Sequence, residues 1–153
     1  MAAYFLDSSA LVKRYARETG TGWVLGLFRR AAGNAFYASR ITKVEVTSAL
    51  ARKRRGLHVT PDAAARAFQR LRRDFGRRTY VVEITPALLQ NAEALADKHH
   101  LRGYDAVQLA AALEANAERA KATLPPLVLV TADTDLLAAG AAEGLTVDDP
   151  NNH

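Results

Sequence analysis

Short apolar runs alternate with longer amphipathic segments along this chain, and this alternation limits its fold more than any other feature. The apolar runs cover residues 2–6, 35–38, 80–84 and 127–130, and residues 145–147 are a shorter fifth candidate. Each run has the length of a buried strand, whereas the segments between them have helical periodicity. Strands that alternate with helices in this way form parallel sheets with crossover helices. The pattern therefore predicts an α/β fold.

Capping residues mark several helix boundaries. Thr60 and Thr85 each precede a proline, and a capping hydroxyl followed by proline at the first helical position is typical of a helix start. These two helices are predicted to reach about residues 75 and 99. Ser8 and Ser9 are expected to cap a helix that extends to about residue 16. Further helices are predicted over residues 19–32, 41–55, 103–122 and 134–144.

Length and composition favour one compact domain over residues 1–153. The chain is 49% hydrophobic, enough for one substantial core. It has no apolar run of about 18 residues and no signal-peptide pattern, so we expect a soluble protein that does not associate with membranes. The absence of cysteine excludes disulfides and thiolate metal sites and agrees with a cytoplasmic location.

Four acidic residues occupy comparable positions in this pattern. Asp7 and Asp133 follow two apolar runs, so both are expected at the carboxyl edge of buried strands. Glu45 and Asp105 open helical segments and are able to point toward the same edge. Ligands of open α/β sheets bind at this edge. The pattern predicts a cluster of carboxylates there, although any one of these acids alone would suit a helix cap or a surface charge equally well.

Such a cluster needs a counter-charge. Four carboxylates about 5 Å apart form six pairs, each repelling by roughly 3 kcal/mol at an effective dielectric of about 20. Their sum, roughly 20 kcal/mol, exceeds the net stability of an ordinary domain, about 5 to 15 kcal/mol. Raised pKa values reduce this repulsion, and a divalent cation removes more of it. Oxygen ligands without cysteine or a suitable histidine pair favour Mg²⁺ or Mn²⁺ over zinc.

Basic residues concentrate in one stretch, residues 52–78, which we call the basic zone. It holds ten lysines and arginines against two acids, a local charge of +8, so that the remainder carries −3 of the total of +5. A positive zone beside a carboxylate cluster suits a protein that draws in a phosphodiester backbone and cleaves it at a metal. A solvated, arginine-rich helical face explains this stretch equally well.

Four segments resemble the PIN-domain nucleases, and most closely the VapC-type toxins of bacterial and archaeal toxin–antitoxin pairs. They cover residues 4–13, 42–50, 101–110 and 130–137, and their order and spacing carry the resemblance. It implies a three-layer α/β/α sandwich with a mainly parallel sheet of four or five strands. It also implies an endoribonuclease that depends on Mg²⁺ or Mn²⁺, with an RNA substrate, a VapB-type antitoxin as partner, and a homodimer.

By the same resemblance, the metal ligands are Asp7, Glu45, Asp105 and Asp133. The hydroxyls of Ser9 and Thr131 are expected to orient these carboxylates rather than to act as nucleophiles. Since the sequence places no histidine to serve as a base for a serine nucleophile, water activated by the metal is expected to attack. The expected products have a 5′-phosphate and a 3′-hydroxyl.

Other assignments are possible for some of these features. A phosphoacceptor receiver domain requires an acidic pair after its first strand, and a haloacid-dehalogenase phosphatase requires a second aspartate where this chain has Ser9. A catalytically silent PIN-like module that binds RNA or a protein partner is the main alternative, because fold does not imply activity. Asp135 suits either a supporting carboxylate or a helix N-terminal charge. Trp23 and Tyr104 suit either core packing or contacts with a partner and a base, respectively.

Overall fold

A computed structural model describes residues 1–153 and contains five strands. They are β1 (Ala3–Leu6), β2 (Ala35–Ser39), β3 (Tyr80–Val82), β4 (Val128–Val130) and β5 (Thr146–Asp148). They form one sheet in the order β3-β2-β1-β4-β5, and every pair is parallel. The predicted α/β class and parallel sheet are therefore confirmed.

Seven α-helices connect the strands. They are α1 (Ser8–Leu11), α2 (Thr21–Leu27), α3 (Thr42–Arg55), α4 (Pro61–Asp74), α5 (Pro86–His99), α6 (Gly103–Lys121) and α7 (Thr134–Ala142), with short 3₁₀ turns at Val12–Arg14, Arg30–Ala32 and Pro150–Asn152. None of the helices is both long and apolar enough to cross a lipid bilayer.

The two faces of the sheet carry separate apolar clusters, which produce the predicted three layers. Adjacent residues of a strand point to opposite faces. Phe5 and Leu129 accordingly pack under α5, α6 and α7, whereas Leu6 and Val130 pack under α1 to α4. The close approach of α7 depends on Gly140, because a Cβ there would lie 2.7 Å from the Leu129 Cδ2 atom.

The winding direction of the sheet reverses between β1, the central strand, and its neighbour β4. The chain first builds outward from β1 to β2 and β3, and then continues on the other side with β4 and β5. Helix α1 follows β1 and helix α7 follows β4, and these two helices consequently pack on opposite faces of the sheet. Open α/β sheets bind ligands at such a reversal, beyond the carboxyl ends of the strands, and we call this region the crevice.

Two predicted helices differ from the structure. The cap of α1 is Asp7, whose carboxylate accepts the Ala10 N–H, and Ser8 and Ser9 lie within the first turn. The predicted helix over residues 19–32 is divided into α2 and a 3₁₀ turn. Glycines at positions 20 and 33, both with positive φ, bound these pieces, and glycine readily adopts this conformation. The helices predicted to start at Thr60–Pro61 and Thr85–Pro86 are confirmed, and both threonines cap them through their hydroxyls.

Candidate active site

Asp7 follows β1 directly and is held by three donors. Its Oδ1 accepts hydrogen bonds from the Ser9 hydroxyl (2.7 Å) and the Ala10 N–H (2.9 Å), and its Oδ2 accepts one from the Thr131 hydroxyl (2.6 Å). Only 3% of the residue is exposed. Burial raises the pKa of Asp7 to about 6, the hydrogen bonds oppose this shift, and the charge of Glu45 adds to it. The carboxylate is therefore fixed in position while its ionised form is costly.

The hydroxyls of Ser9 and Thr131 connect the segments that follow β1 and β4. Their oxygens are 3.3 Å apart. The Ala132 N–H donates to the Ser9 hydroxyl oxygen (2.9 Å), and the Asp133 N–H donates to the Thr131 hydroxyl oxygen (3.1 Å). Each hydroxyl thus supports Asp7 and the loop after β4 together, which is the geometry that an orienting role requires.

A single arginine bridges two of the other acids. Arg102 donates from Nε to the Asp105 Oδ2 (3.0 Å) and from Nη2 to the Asp133 Oδ2 (2.9 Å). Asp133 caps α7 through its other oxygen, which accepts the Leu136 N–H. Burial raises the pKa of Asp105, Arg102 lowers it, and the charge of Asp133 raises it. Since the Arg102 side chain is 78% exposed, this bridge is a solvent-facing contact.

Glu45 is held in place by a buried amide. Its Oε1 accepts a hydrogen bond from the Gln108 Nε2 (2.6 Å), and its Oε2 accepts one from the Ser8 hydroxyl (3.1 Å). Gln108 is 1% exposed and its amide also donates to the Thr42 hydroxyl oxygen. Partial burial raises the pKa of Glu45, the two hydrogen bonds oppose this shift, and the charge of Asp105 adds to it. Helices α3 and α6 are thereby linked at the edge of the crevice.

The structure therefore brings the predicted site residues to one region. Asp7, Ser9 and Thr131 are directly hydrogen-bonded, and Arg102 bridges Asp105 and Asp133. Glu45 is held beside them by Ser8 and Gln108, and no hydrogen bond joins it to another of the acids. The charge of Glu45 raises the pKa of Asp7, the charge of Asp105 raises the pKa of Glu45, and the charge of Asp133 raises the pKa of Asp105. No three acidic or histidine side chains are close enough together to coordinate one ion in this arrangement.

The chemistry of the donors nevertheless fits a divalent cation. All four acids offer carboxylate oxygens, and no histidine or cysteine lies among them, which is the ligand set of Mg²⁺ or Mn²⁺. The guanidinium of Arg102 already lies between Asp105 and Asp133, so these two acids accept a positive charge at this point. Because the arginine is exposed, its displacement by an ion would disrupt little packing.

Four residues of this network received no functional role from the sequence, and one of them, Ser8, was predicted only as a helix cap. Gln108 is a polar residue on an otherwise apolar helical face, three positions after Asp105, and that placement was a usable signal. Arg102 lies three positions before Asp105, but its contact with Asp133 spans 31 positions, and the contact of Thr42 with Gln108 spans 66. Local pattern does not predict contacts of that length. Asp135 is exposed in the first turn of α7 and reaches the cluster only through its effect on the pKa of Asp105.

A groove of about 400 Å³ opens beside Glu45, and we call it the side groove. Its walls include Ser8, Val44, Glu45, Ser48, Arg52 and Tyr104. Arg52 is the first residue of the basic zone, so that zone begins within the groove and continues along α3 and α4. Nine of its ten basic residues are exposed, and Lys53 is partly buried. Tyr104 is 62% exposed, which excludes the core-packing role considered for it.

The chain is similar to known proteins over nearly its full length. The family model described as PIN domain matches residues 4–142. Ribonuclease VapC45 of Mycobacterium tuberculosis is 35% identical over 147 residues, which are 96% of this chain and 95% of that protein.

Solved structures share the fold at lower sequence identity. Mycobacterium tuberculosis VapC20, described as a Sarcin-Ricin loop cleaving toxin, aligns with a TM-score of 0.62 at 18% identity and covers 94% of this chain and 96% of its own. A chain of a toxin-antitoxin complex from Klebsiella pneumoniae aligns with a TM-score of 0.60 at 21% identity and covers 98% of both chains.

Proposed function

This chain belongs to the PIN domain family, and on that basis we propose that it is the ribonuclease toxin of a toxin–antitoxin pair, an endoribonuclease dependent on Mg²⁺ or Mn²⁺. The observation that carries this proposal is the placement of four carboxylates around one region beyond β1 and β4, each close enough to shift the pKa of a neighbour or to share Arg102 with it, beside a zone of net positive charge. The relative named as a ribonuclease supports RNA as the substrate. We take residues 1–153 as one nuclease domain, because β1 pairs with β4 and both apolar clusters draw on the two halves of the chain.

The metal ligands in this proposal are Asp7, Glu45, Asp105 and Asp133. When bound there, Mg²⁺ or Mn²⁺ supplies a Lewis acid that activates water and neutralises charge at the phosphate. Asp7 keeps its position through the Ser9, Ala10 and Thr131 donors, so its orientation does not depend on the ion.

The remaining acids differ in how freely they can exchange partners. Asp133 uses Oδ1 to cap α7, whereas its Oδ2 accepts a hydrogen bond from Arg102. Oδ2 is therefore the atom that would bind a cation in place of the arginine. Asp105 would likewise exchange its contact with Arg102 for the cation. The guanidinium thus freed would suit a phosphate oxygen of the substrate. Gln108 holds Glu45 from the buried side throughout, so this carboxylate stays aimed at the crevice.

A cleavage assay on total RNA tests this function. The purified chain is expected to cleave RNA with added Mg²⁺ or Mn²⁺ and to lose activity in excess EDTA. Asp7→Asn is expected to abolish cleavage without unfolding the protein, since the amide has nearly the same shape as the carboxylate. The matched control is Asp62→Asn, which neutralises an exposed acid in the first turn of α4. End-group analysis should find 5′-phosphates and 3′-hydroxyls.

Three results would count against this function. Full activity in excess EDTA, or cyclic phosphate ends, would exclude a metal-activated water mechanism. Equal cleavage by wild type and Asp7→Asn would show that the activity belongs to a contaminant or to another site. RNA binding without cleavage by any form of the protein would favour the catalytically silent module instead.

The partners in this proposal are a VapB-type antitoxin and a second copy of the chain. The similarity to a subunit of a toxin-antitoxin complex supports the antitoxin. Expression of the wild-type chain should arrest growth, Asp7→Asn should not, and co-expression of the cognate antitoxin should restore growth. Light scattering of the purified chain measures the oligomer directly, and a monomeric mass would exclude the homodimer.

A further inference from the structure

Several side chains of the side groove have no role in the metal-assisted cleavage proposed above. One face of α3 lines it with Val44, Ser48 and Arg52, which follow each other at intervals of four residues. Tyr104, from the first turn of α6, lies on the opposite wall. Helices α3 and α6 therefore both line the groove. Glu45 is part of its wall, and Asp105 follows Tyr104 in sequence.

Two exposed apolar surfaces face this groove. Tyr104 is 62% exposed and Val44 is 66% exposed. Tyr104 makes none of the aromatic contacts within the protein and none of its side-chain hydrogen bonds. A single exposed apolar residue needs no explanation. Here, however, an unpartnered aromatic ring and an aliphatic side chain line the same cavity, each next in sequence to an acid of the site.

Arg52 supplies positive charge at the other end of the groove. Its Nη1 donates to the Ser48 hydroxyl (2.7 Å), so the side chain folds back along α3 toward the acids. It forms no ion pair with any carboxylate. Arg52 lies seven positions after Glu45, which corresponds to a rise of about 10 Å along the helix. The groove thus passes from an acidic end to a basic end.

A nucleotide matches this arrangement better than a peptide does. Its neutral base can lie near the acidic end, on the ring of Tyr104, while its phosphate lies at Arg52. Bases of single-stranded RNA commonly stack on aromatic side chains, and arginine commonly binds the phosphate. An acidic peptide would bring carboxylates close to Glu45, and a basic peptide would meet Arg52.

We propose that the side groove binds one unpaired nucleotide of the RNA substrate, with its base stacked on Tyr104 and its phosphate at Arg52. This site presupposes the ribonuclease activity proposed above and defines its substrate as RNA that is unpaired beside the cleaved bond. Stacking tolerates any base. The groove therefore selects unpaired over paired RNA more strongly than it selects a sequence.

Binding to a cleavage-silent protein isolates this site from catalysis. In the Asp7→Asn background, a labelled, unpaired RNA oligonucleotide of mixed sequence is titrated by fluorescence anisotropy. Tyr104→Ala is expected to weaken binding by about 5- to 150-fold, the range measured for the loss of one stacked base. Tyr104→Phe keeps the ring and is expected to bind like the parent. The matched control, Tyr80→Ala, removes a tyrosine of similar exposure on β3 and is expected to change little.

The salt dependence separates the two ends of the groove. Each phosphate contact to a single strand contributes about 0.7 to the slope of log affinity against log salt. Arg52→Ala is expected to reduce this slope by about 0.7, whereas Tyr104→Ala should leave it unchanged. With the same oligonucleotide annealed to its complement, the effect of Tyr104→Ala should disappear. Since Tyr104 is exposed, its variants should also keep the thermal unfolding midpoint of the parent.

The outcomes distinguish this site from the proposed function. In the active protein, Tyr104→Ala should raise KM and leave kcat nearly unchanged. If wild type cleaves RNA but Tyr104→Ala binds and cleaves equally well, the nucleotide site is wrong and the function stands. Equal losses in Tyr104→Phe and Tyr104→Ala would also overturn it, because the hydroxyl rather than the ring would then be responsible. Binding that depends on Tyr104 in a protein without any metal-dependent cleavage would retain the site and remove the function.

Discussion

Asp7 and Asp74 are buried to a similar degree, but only Asp74 faces cations. Asp7 is 3% exposed and Asp74 is 6% exposed. Arg14 Nη2 lies 3.1 Å from the Asp74 Oδ2, and Arg73 Nε lies 3.5 Å from its Oδ1. Asp7 is bonded only by neutral donors. A buried charge without a cation is costly, and the cation proposed above would offset this cost at Asp7, whereas Asp74 has its counter-charges within the chain.

The largest expected effect on stability belongs to the paired acid. Asp74→Asn leaves the Arg14 guanidinium buried without its counter-charge, and removal of one partner from a buried pair typically costs about 3 to 5 kcal/mol. Urea denaturation at neutral pH measures the change in the free energy of unfolding. The exposed control is Asp62→Asn, which lies on the same helix. A loss as small as that of the control would mean that Asp74 and Arg14 are not energetically coupled.

The unpaired acid should show the opposite sign and a dependence on pH. The pKa of Asp7 rises from 3.8 to about 6 on folding, so its contribution to stability is fully present below pH 3.8 and is lost as pH rises through about 6. This shift corresponds to about 3 kcal/mol. In metal-free buffer, the stability of Asp7→Asn relative to wild type should therefore increase by about this amount between about pH 4 and pH 7.

Urea denaturation of both proteins across this range measures that difference. The same series for Asp74→Asn provides the comparison with a paired acid. A stability difference between Asp7→Asn and wild type that does not change with pH would show that the folded protein does not shift the pKa of Asp7.

An added cation should distinguish the two aspartates again. Mn²⁺ or Mg²⁺ at about one hundred times its dissociation constant should stabilise the wild-type fold by about 2.7 kcal/mol through mass action. Asp74→Asn should keep this increment, whereas Asp7→Asn should lose most of it. Thermal unfolding with increasing Mn²⁺ is the measurement. Equal increments in both variants would place the cation away from Asp7.

The smallest effect on stability is expected at the exposed bridge. Arg102→Gln removes the contacts with Asp105 and Asp133, but exposed ion pairs contribute little to folding. The unfolding free energy in metal-free buffer should hardly change. Affinity for Mn²⁺ should increase, because the ion no longer competes with the guanidinium. Weaker Mn²⁺ binding in this variant would show that Arg102 supports the metal site rather than competing for it.

Much of the fold could be predicted from local pattern. Thr60–Pro61 and Thr85–Pro86 mark helix starts because capping and the fixed φ of proline act within a few residues. The prediction for the first helix was wrong in its cap, since both the serines and Asp7 suit that role by type. Asp7 takes it while its second oxygen bonds Thr131, 124 positions away. Capping preference depends only on neighbouring residues, so it does not predict a contact of this length.

The parallel α/β arrangement and the placement of the acids at strand ends and in first helical turns could be predicted from the residues alone, because periodicity and capping are local properties of the chain. The partners of these acids depend on the packing of distant segments. Gln108 reaches Glu45, Arg102 reaches Asp133, and Tyr104 remains in the open side groove. These contacts join segments distant in sequence, and they follow from how helices α3, α6 and α7 pack around the reversal between β1 and β4.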